Sequence, residues 1–94
     1  MEIDLLAKTV TVNDELLALT KKEFEVLYIL ASHPNTIYSK AELFESVWGY
    51  DSLGDTSTLT VHINRLRDKL KNVAGHPYER IETVWGSGYR FHLD

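Results

Sequence analysis

From Thr56 to Leu70 the residues Leu59, Ile63, Leu66 and Leu70 recur at intervals of three and four, which at about 100° per residue gathers them into one stripe. Ser57, Val61, Asn64, Arg65 and Asp68 collect on the opposite side. This spacing predicts a helix over 56–72 with one side in a core and the other outward. The outward side is not a run of Lys and Glu; it carries hydroxyls, an amide, a guanidinium and one small apolar side chain. Such groups can read base edges, and a helix is of a width that the DNA major groove admits. The segment is therefore predicted to be a recognition helix.

The rest of the chain is patterned around it. Glu2–Leu5 and Thr9–Val12 alternate polar and apolar residues, Asn13-Asp14 supplies a turn, and Glu15–Ala18 returns, so residues 1–18 are expected to form an antiparallel meander. Thr20-Lys21-Lys22-Glu23 has the form of a capping box and opens a helix over 20–33, apolar nearly all round through Phe24, Val26, Leu27 and Leu30. That helix is expected to lie between the meander and the later helices, with Pro34 ending it. A second box, Ser39-Lys40-Ala41-Glu42, opens a shorter helix over 39–48, stopped by Gly49. A loop over 49–55 leads to Asp55 or Thr56 as the cap of the predicted recognition helix. Two apolar-polar runs around Gly86-Ser87-Gly88 predict a hairpin over 79–93. The order is that of a helix-turn-helix followed by a wing, with a turn longer than the usual three or four residues.

Ninety-four residues, 44% of them apolar, suffice for one domain and one small core. With no cysteine, disulfides, thiolate metal sites and cysteine nucleophiles are excluded. His33, His62, His76 and His92 lack metal-ligand spacing, so no metal or cofactor is expected. No Ser, His and Asp set sits in a strained turn or beside a Gly-rich phosphate cradle, so catalysis is not expected. There is no apolar run long enough for a membrane span and no leader, which points to a cytoplasmic protein. The net charge of −4 opposes phosphate binding on average, but residues 1–54 carry −5 and residues 55–94 carry +1. Within the helix, Arg65, Arg67, Lys69 and Lys71 face a single acid, Asp68. An acidic half beside a basic element would orient the molecule on DNA.

Arg65 is the first candidate for base contact, since its guanidinium can pair with guanine O6 and N7; the competing reading is a solvated pair with Asp68. Val61 can touch a thymine methyl, or be one of the single exposed valines that surfaces tolerate. Asn64 suits adenine or phosphate. Ser57, Thr58 and Thr60 can bind phosphate or base, or simply cap the helix. His62 and Arg67 flank the stripe and are expected to meet phosphates, with Arg67 alternatively tying the helix to an acid elsewhere in the fold. On the wing, Thr83, Trp85 and Tyr89 are the candidates for a backbone or minor-groove contact. Trp85 can instead cover the core, and Trp48 reads as core.

Several motifs in order carry a family resemblance: Leu19-Thr20 with Glu23-Phe24 and Leu27, then Leu43 and Val47-Trp48-Gly49, then Val61-His62-Ile63 with Arg65-Leu66-Arg67 and Lys69-Leu70, and last Ile81-Glu82-Thr83-Val84 with Gly86 and Gly88-Tyr89-Arg90-Phe91. Together they resemble the winged-helix DNA-binding effector domain of OmpR/PhoB-type bacterial two-component response regulators. The resemblance implies an α+β winged helix-turn-helix with a four-stranded N-terminal sheet, three helices and a C-terminal β-hairpin wing. It implies double-stranded promoter DNA as ligand, bound as tandem head-to-tail copies. It also implies RNA polymerase contacts on the loop with Tyr50, Asp51, Leu53 and Asp55, and a phosphorylation-controlled receiver domain ahead of Met1. Met1 is on that basis expected to mark an excised fragment or an added start. Departures fall on the reading side: Ser57 where the family often has Arg, Thr60 where it often has Asp, and Trp85 where an Arg frequently reaches the minor groove. They leave the operator open. The alternative function is a winged-helix protein-interaction module that docks polymerase or a second copy of the chain.

Overall fold

Alternation at the start of the chain is realised as three short strands, β1 (Glu2–Asp4), β2 (Thr9–Val12) and β3 (Glu15–Leu17), antiparallel in the order β1-β2-β3. The structure is a computed structural model that describes residues 2–12, 14–49, 57–74 and 81–92. Pairing of Ile3 with Val10 and of Val10 with Leu17 sends Val10, Val12 and Leu17 into the core, while Thr11 lies outward between Glu2 and Leu16. The Asp4 carboxylate accepts from the amides of Leu6 and Ala7 at 3.0 and 3.1 Å and holds the first turn. Among the described residues the sheet has three strands, not the four that the resemblance implied. The described residues ahead of Thr20 are taken up by three strands and the segments next to them.

Helix α1 (Lys21–Ser32) starts on a formed capping box, with the Glu23 amide donating to Thr20 Oγ1 at 3.2 Å and the Thr20 amide donating to Glu23 Oε1 at 2.8 Å. Helix α2 (Lys40–Trp48) starts the same way at Ser39 and Glu42, and the Gly49 amide donates to Glu45 O at 2.8 Å where it ends. Helix α3 (Ser57–Ala74) is the hub of the fold. Its stripe of Leu59, Ile63, Leu66 and Leu70 is fully buried, each worth about 2–3 kcal/mol of apolar transfer. The packing corrects one expectation: α1 lies mainly against α3, α2 and the last strand, and the N-terminal sheet rests on α3 through β2 and β3. The meander therefore does not sandwich α1. The inward Val10, Val12 and Leu17 need an apolar partner, and the long stripe of α3 supplies it.

The wing is β4 (Ile81–Val84) paired antiparallel with β5 (Gly88–Phe91). Its tip is a turn in which the Ser87 amide donates to Val84 O at 2.9 Å, with Gly86 at φ 80°, the positive value such a turn needs at its third residue. The segment between α1 and α2 joins the wing. The Asn35 amide donates to Phe91 O at 2.8 Å, and Tyr38 and Tyr89 exchange both backbone bonds at 2.9 Å. Gly88 makes this approach possible: at φ 137° a Cβ there would lie 1.9 Å from Tyr38 O.

Candidate nucleic-acid interface

The outward side of α3 lies open to solvent. Ser57, Asn64, Arg65 and Asp68 are exposed, Val61 is 46% exposed, and Thr58, Thr60 and His62 are half-buried along its margin. Among the described residues the side chains of Asn64 and Arg65 make no hydrogen bond or ion pair, so the alternative pairing of Arg65 with Asp68 is not formed. His62 is oriented from two sides: its Nδ1 lies 2.8 Å from Thr58 O, and Trp48 meets it edge-on with centroids 5.0 Å apart. Since a carbonyl only accepts, that contact places the proton on Nδ1 and leaves Nε2 turned away from it. Trp48 is only partly buried against the core. It stacks on Phe44 at 5.0 Å under the ammonium of Lys22, 5.6 Å from its ring, and Lys22 also donates to Val47 O at the end of α2.

Half of the helix's positive charge is committed elsewhere. Arg65 and Lys71 are exposed, but Arg67 and Lys69 turn inward. Lys69 Nζ donates to Glu23 Oε1 at 2.6 Å, and Glu23 is 1% exposed. Burial pushes the Glu23 carboxyl upward, yet the Lys69 hydrogen bond, the Thr20 amide, the Lys69 charge and the Thr20 hydroxyl outweigh it and hold the group below the ordinary glutamate value. The capping motif pointed to Glu23, but nothing local in the sequence marks Lys69 as its partner.

Arg67 and Tyr89 depart from the expected roles. The Arg67 Nε donates to Ile81 O at 3.1 Å, a terminal nitrogen donates to Thr83 Oγ1 at 2.5 Å, and the guanidinium lies 5.7 Å from the Tyr89 ring centroid. It ties α3 to the wing, through a carbonyl and a hydroxyl and not through an acid. Tyr89 is 3% exposed and belongs to the core, so its ring is not offered to a ligand; the Tyr38 bridge and the Arg67 contact draw it inward. Thr83 is half-buried with its hydroxyl engaged by Arg67. Trp85, by contrast, does not cover the core: it stands 90% exposed at the wing tip beside exposed Gly86 and Ser87. Arg90 is paired across the strands with Glu82 at 2.7 Å. The loop residues Tyr50, Asp51, Leu53 and Asp55 lie outside the described residues. Among the described residues no group of His, Asp and Glu could hold a metal, and no helix is long and apolar enough to cross a membrane.

Two capped helices carrying a third whose mixed-polarity side faces out, with a hairpin fastened beside it, define a winged helix-turn-helix domain. Residues 13–91 match the family described as "Transcriptional regulatory protein, C terminal", and the chain belongs to that family, the OmpR/PhoB-type effector domains. The family is a transcription-regulator domain and not an enzyme. The chain is 50% identical over 86 residues to the response regulator SaeR of Staphylococcus aureus, an alignment covering 92% of this chain and 37% of SaeR. It superposes on the DNA-binding domain of Bacillus subtilis CssR with a TM-score of 0.81 at 30% identity, covering 95% of this chain and 96% of that one. On the Klebsiella pneumoniae RstA DNA-binding domain in complex with the RstA box the TM-score is 0.80 at 36% identity, covering 96% and 88%.

Proposed function

We propose that this chain binds duplex promoter DNA sequence-specifically to regulate transcription, with α3 in the major groove and the wing tip on the minor groove or backbone. The observation that carries the reading is the exposed, unengaged side of α3 at Val61, Asn64 and Arg65, chemically able to read bases and projecting away from the core. The RstA domain, similar over nearly all of this chain, is solved on its box. The proposal extends to a cytoplasmic response regulator in which a receiver domain precedes this one, a second copy binds in tandem, and Tyr50, Asp51, Leu53 and Asp55 meet RNA polymerase. SaeR, of which the chain spans 37%, is a response regulator of that greater length.

The test is selection of bound fragments from a random duplex pool, followed by titration of a recovered site. Arg65→Ala is expected to weaken specific binding by about 1–3 kcal/mol and non-specific binding less. Undiminished affinity in that variant would remove α3 from its assigned role. A protein-docking function is favoured by a separate observation, the exposed Leu5 and Leu6 in the turn between β1 and β2, at 54% and 98%, and Leu16 on β3, at 68%. Salt separates the two readings: DNA affinity falls log-linearly with salt at about −0.9 per phosphate contacted. A docking module shows no duplex affinity even at low salt.

A further inference from the structure

Among the described residues, every directional contact of the Arg67 guanidinium is made to the wing, and to both of its strands: the Ile81 carbonyl and Thr83 hydroxyl on β4, and the Tyr89 ring on β5. The root of the wing is held by buried Ile81 and Phe91, and β5 is held further out by the Tyr38 bridge at Tyr89, opposite Thr83. On β4 the burial runs out toward the tip, since Thr83 and Val84 are half-buried and Trp85 to Ser87 are exposed, whereas Gly88 and Tyr89 on β5 stay buried. Among the described residues no hydrogen bond joins Trp85, Gly86 or Ser87 to any helix. The outermost tie between α3 and the wing is thus the bond from Arg67 to Thr83, two residues below Trp85 and about 7 Å short of it along the strand. A small rotation of β4 about its buried root would swing the tip relative to the face that carries Arg65.

We infer that Arg67 is a positioning residue: it sets the angle between α3 and the wing, and so couples what the helix reads to where the wing tip lands, without itself contacting phosphate. The inference rests on the DNA-binding reading above and goes beyond it by removing Arg67 from the contact set. Arginine suits the task because its planar fork holds two acceptors in fixed directions, which a lysine ammonium does not.

Two variants test it, Arg67→Lys, which keeps the charge and loses the fork, and the milder Thr83→Val, which removes the bonded hydroxyl. In the free protein both are expected to speed amide hydrogen exchange across β4 and β5; unchanged exchange overturns the inference whether or not the chain binds DNA. Binding is then compared on a duplex recovered from the random pool and on the same duplex trimmed of the flank that the wing protects. Each variant is expected to bind the longer duplex roughly 2- to 30-fold more weakly than the parent, and the trimmed duplex equally well. The double variant is expected to be no weaker than Arg67→Lys alone, since both remove one interaction. Equal losses on both duplexes would make Arg67 a phosphate contact or a general stabiliser and overturn the proposal. So would parental affinity in Arg67→Lys, or additive losses in the double variant. Failure of the parent to bind any duplex would instead count against DNA binding itself, with the exchange result still deciding what Arg67 holds.

Discussion

The N-terminal sheet turns Val10, Val12 and Leu17, each at most 4% exposed, against α3, and among the described residues no side-chain hydrogen bond or ion pair joins it to the helices. The wing begins in the same way with Ile81 and Phe91, but it is fastened in addition by the Arg67 fork, at Ile81 and Thr83, and by a backbone bridge from Tyr38 to Tyr89. Apolar contact is strong and indifferent to angle, whereas hydrogen bonds to a carbonyl and a hydroxyl have preferred directions. A sheet that only closes a core is served by the first. Under the proposed function, a hairpin whose tip lands at a set distance from a reading face needs the second.

The contrast can be broken most severely at Gly88. Gly88→Ala places a Cβ on the Tyr38 carbonyl and forces an L side chain to φ 137°, so the wing and the 35–38 segment cannot stay paired. The expected loss is roughly 3–5 kcal/mol in urea unfolding. A parental midpoint would show that the bridge is dispensable. On the other sheet, Leu17→Ala is expected to cost about 2–4 kcal/mol through lost burial and the cavity left behind, with little dependence on salt or pH. A loss that varied strongly with ionic strength would mean that the N-terminal sheet is held by charge after all.

The smallest effect sharpens the distinction between apolar and polar fastening by pH. The folded-state carboxyl of Glu23 lies below its ordinary value, so its ionised form stabilises the fold. That stabilisation is fully present above the unfolded value of about 4.3 and is lost as pH falls through the lowered folded value. Urea midpoints of the parent and of Glu23→Gln are expected to differ by a constant amount at neutral pH and to converge in acid below about pH 4.3. A gap that persisted unchanged to pH 3 would mean that the Lys69 pair contributes nothing. Leu17→Ala should show no such convergence.

Much of the fold was legible because its signals are local. Thr20 and Glu23, and Ser39 and Glu42, lie three residues apart, within reach of a single helical turn, and both boxes form. The stripe of Leu59, Ile63, Leu66 and Leu70 repeats at the helical period and is buried throughout. The outward side of α3 followed as its complement, so the exposure of Val61, Asn64 and Arg65 was readable in advance. Tyr38 was not, since one bridged residue leaves no periodicity to detect. Tyr89 looked like a wing candidate because a tyrosine beside glycines in a hairpin can point either way, and the strand register with Thr83 decides it.

The order of residues alone determined where helices begin and which stripe of α3 turns inward, because each depends on neighbours within a turn or two, and which family the chain resembles, because that rests on the order and spacing of short motifs along the chain. Only the tertiary structure decided that Lys69 belongs to Glu23, 46 positions away, and that Arg67 belongs to the wing, 14 and 16 positions away. Arg65 and Arg67 are the same residue type two positions apart on one helix. A step of two residues turns the side chain by about 200°, so one points to solvent and the other to whatever the fold has packed behind it.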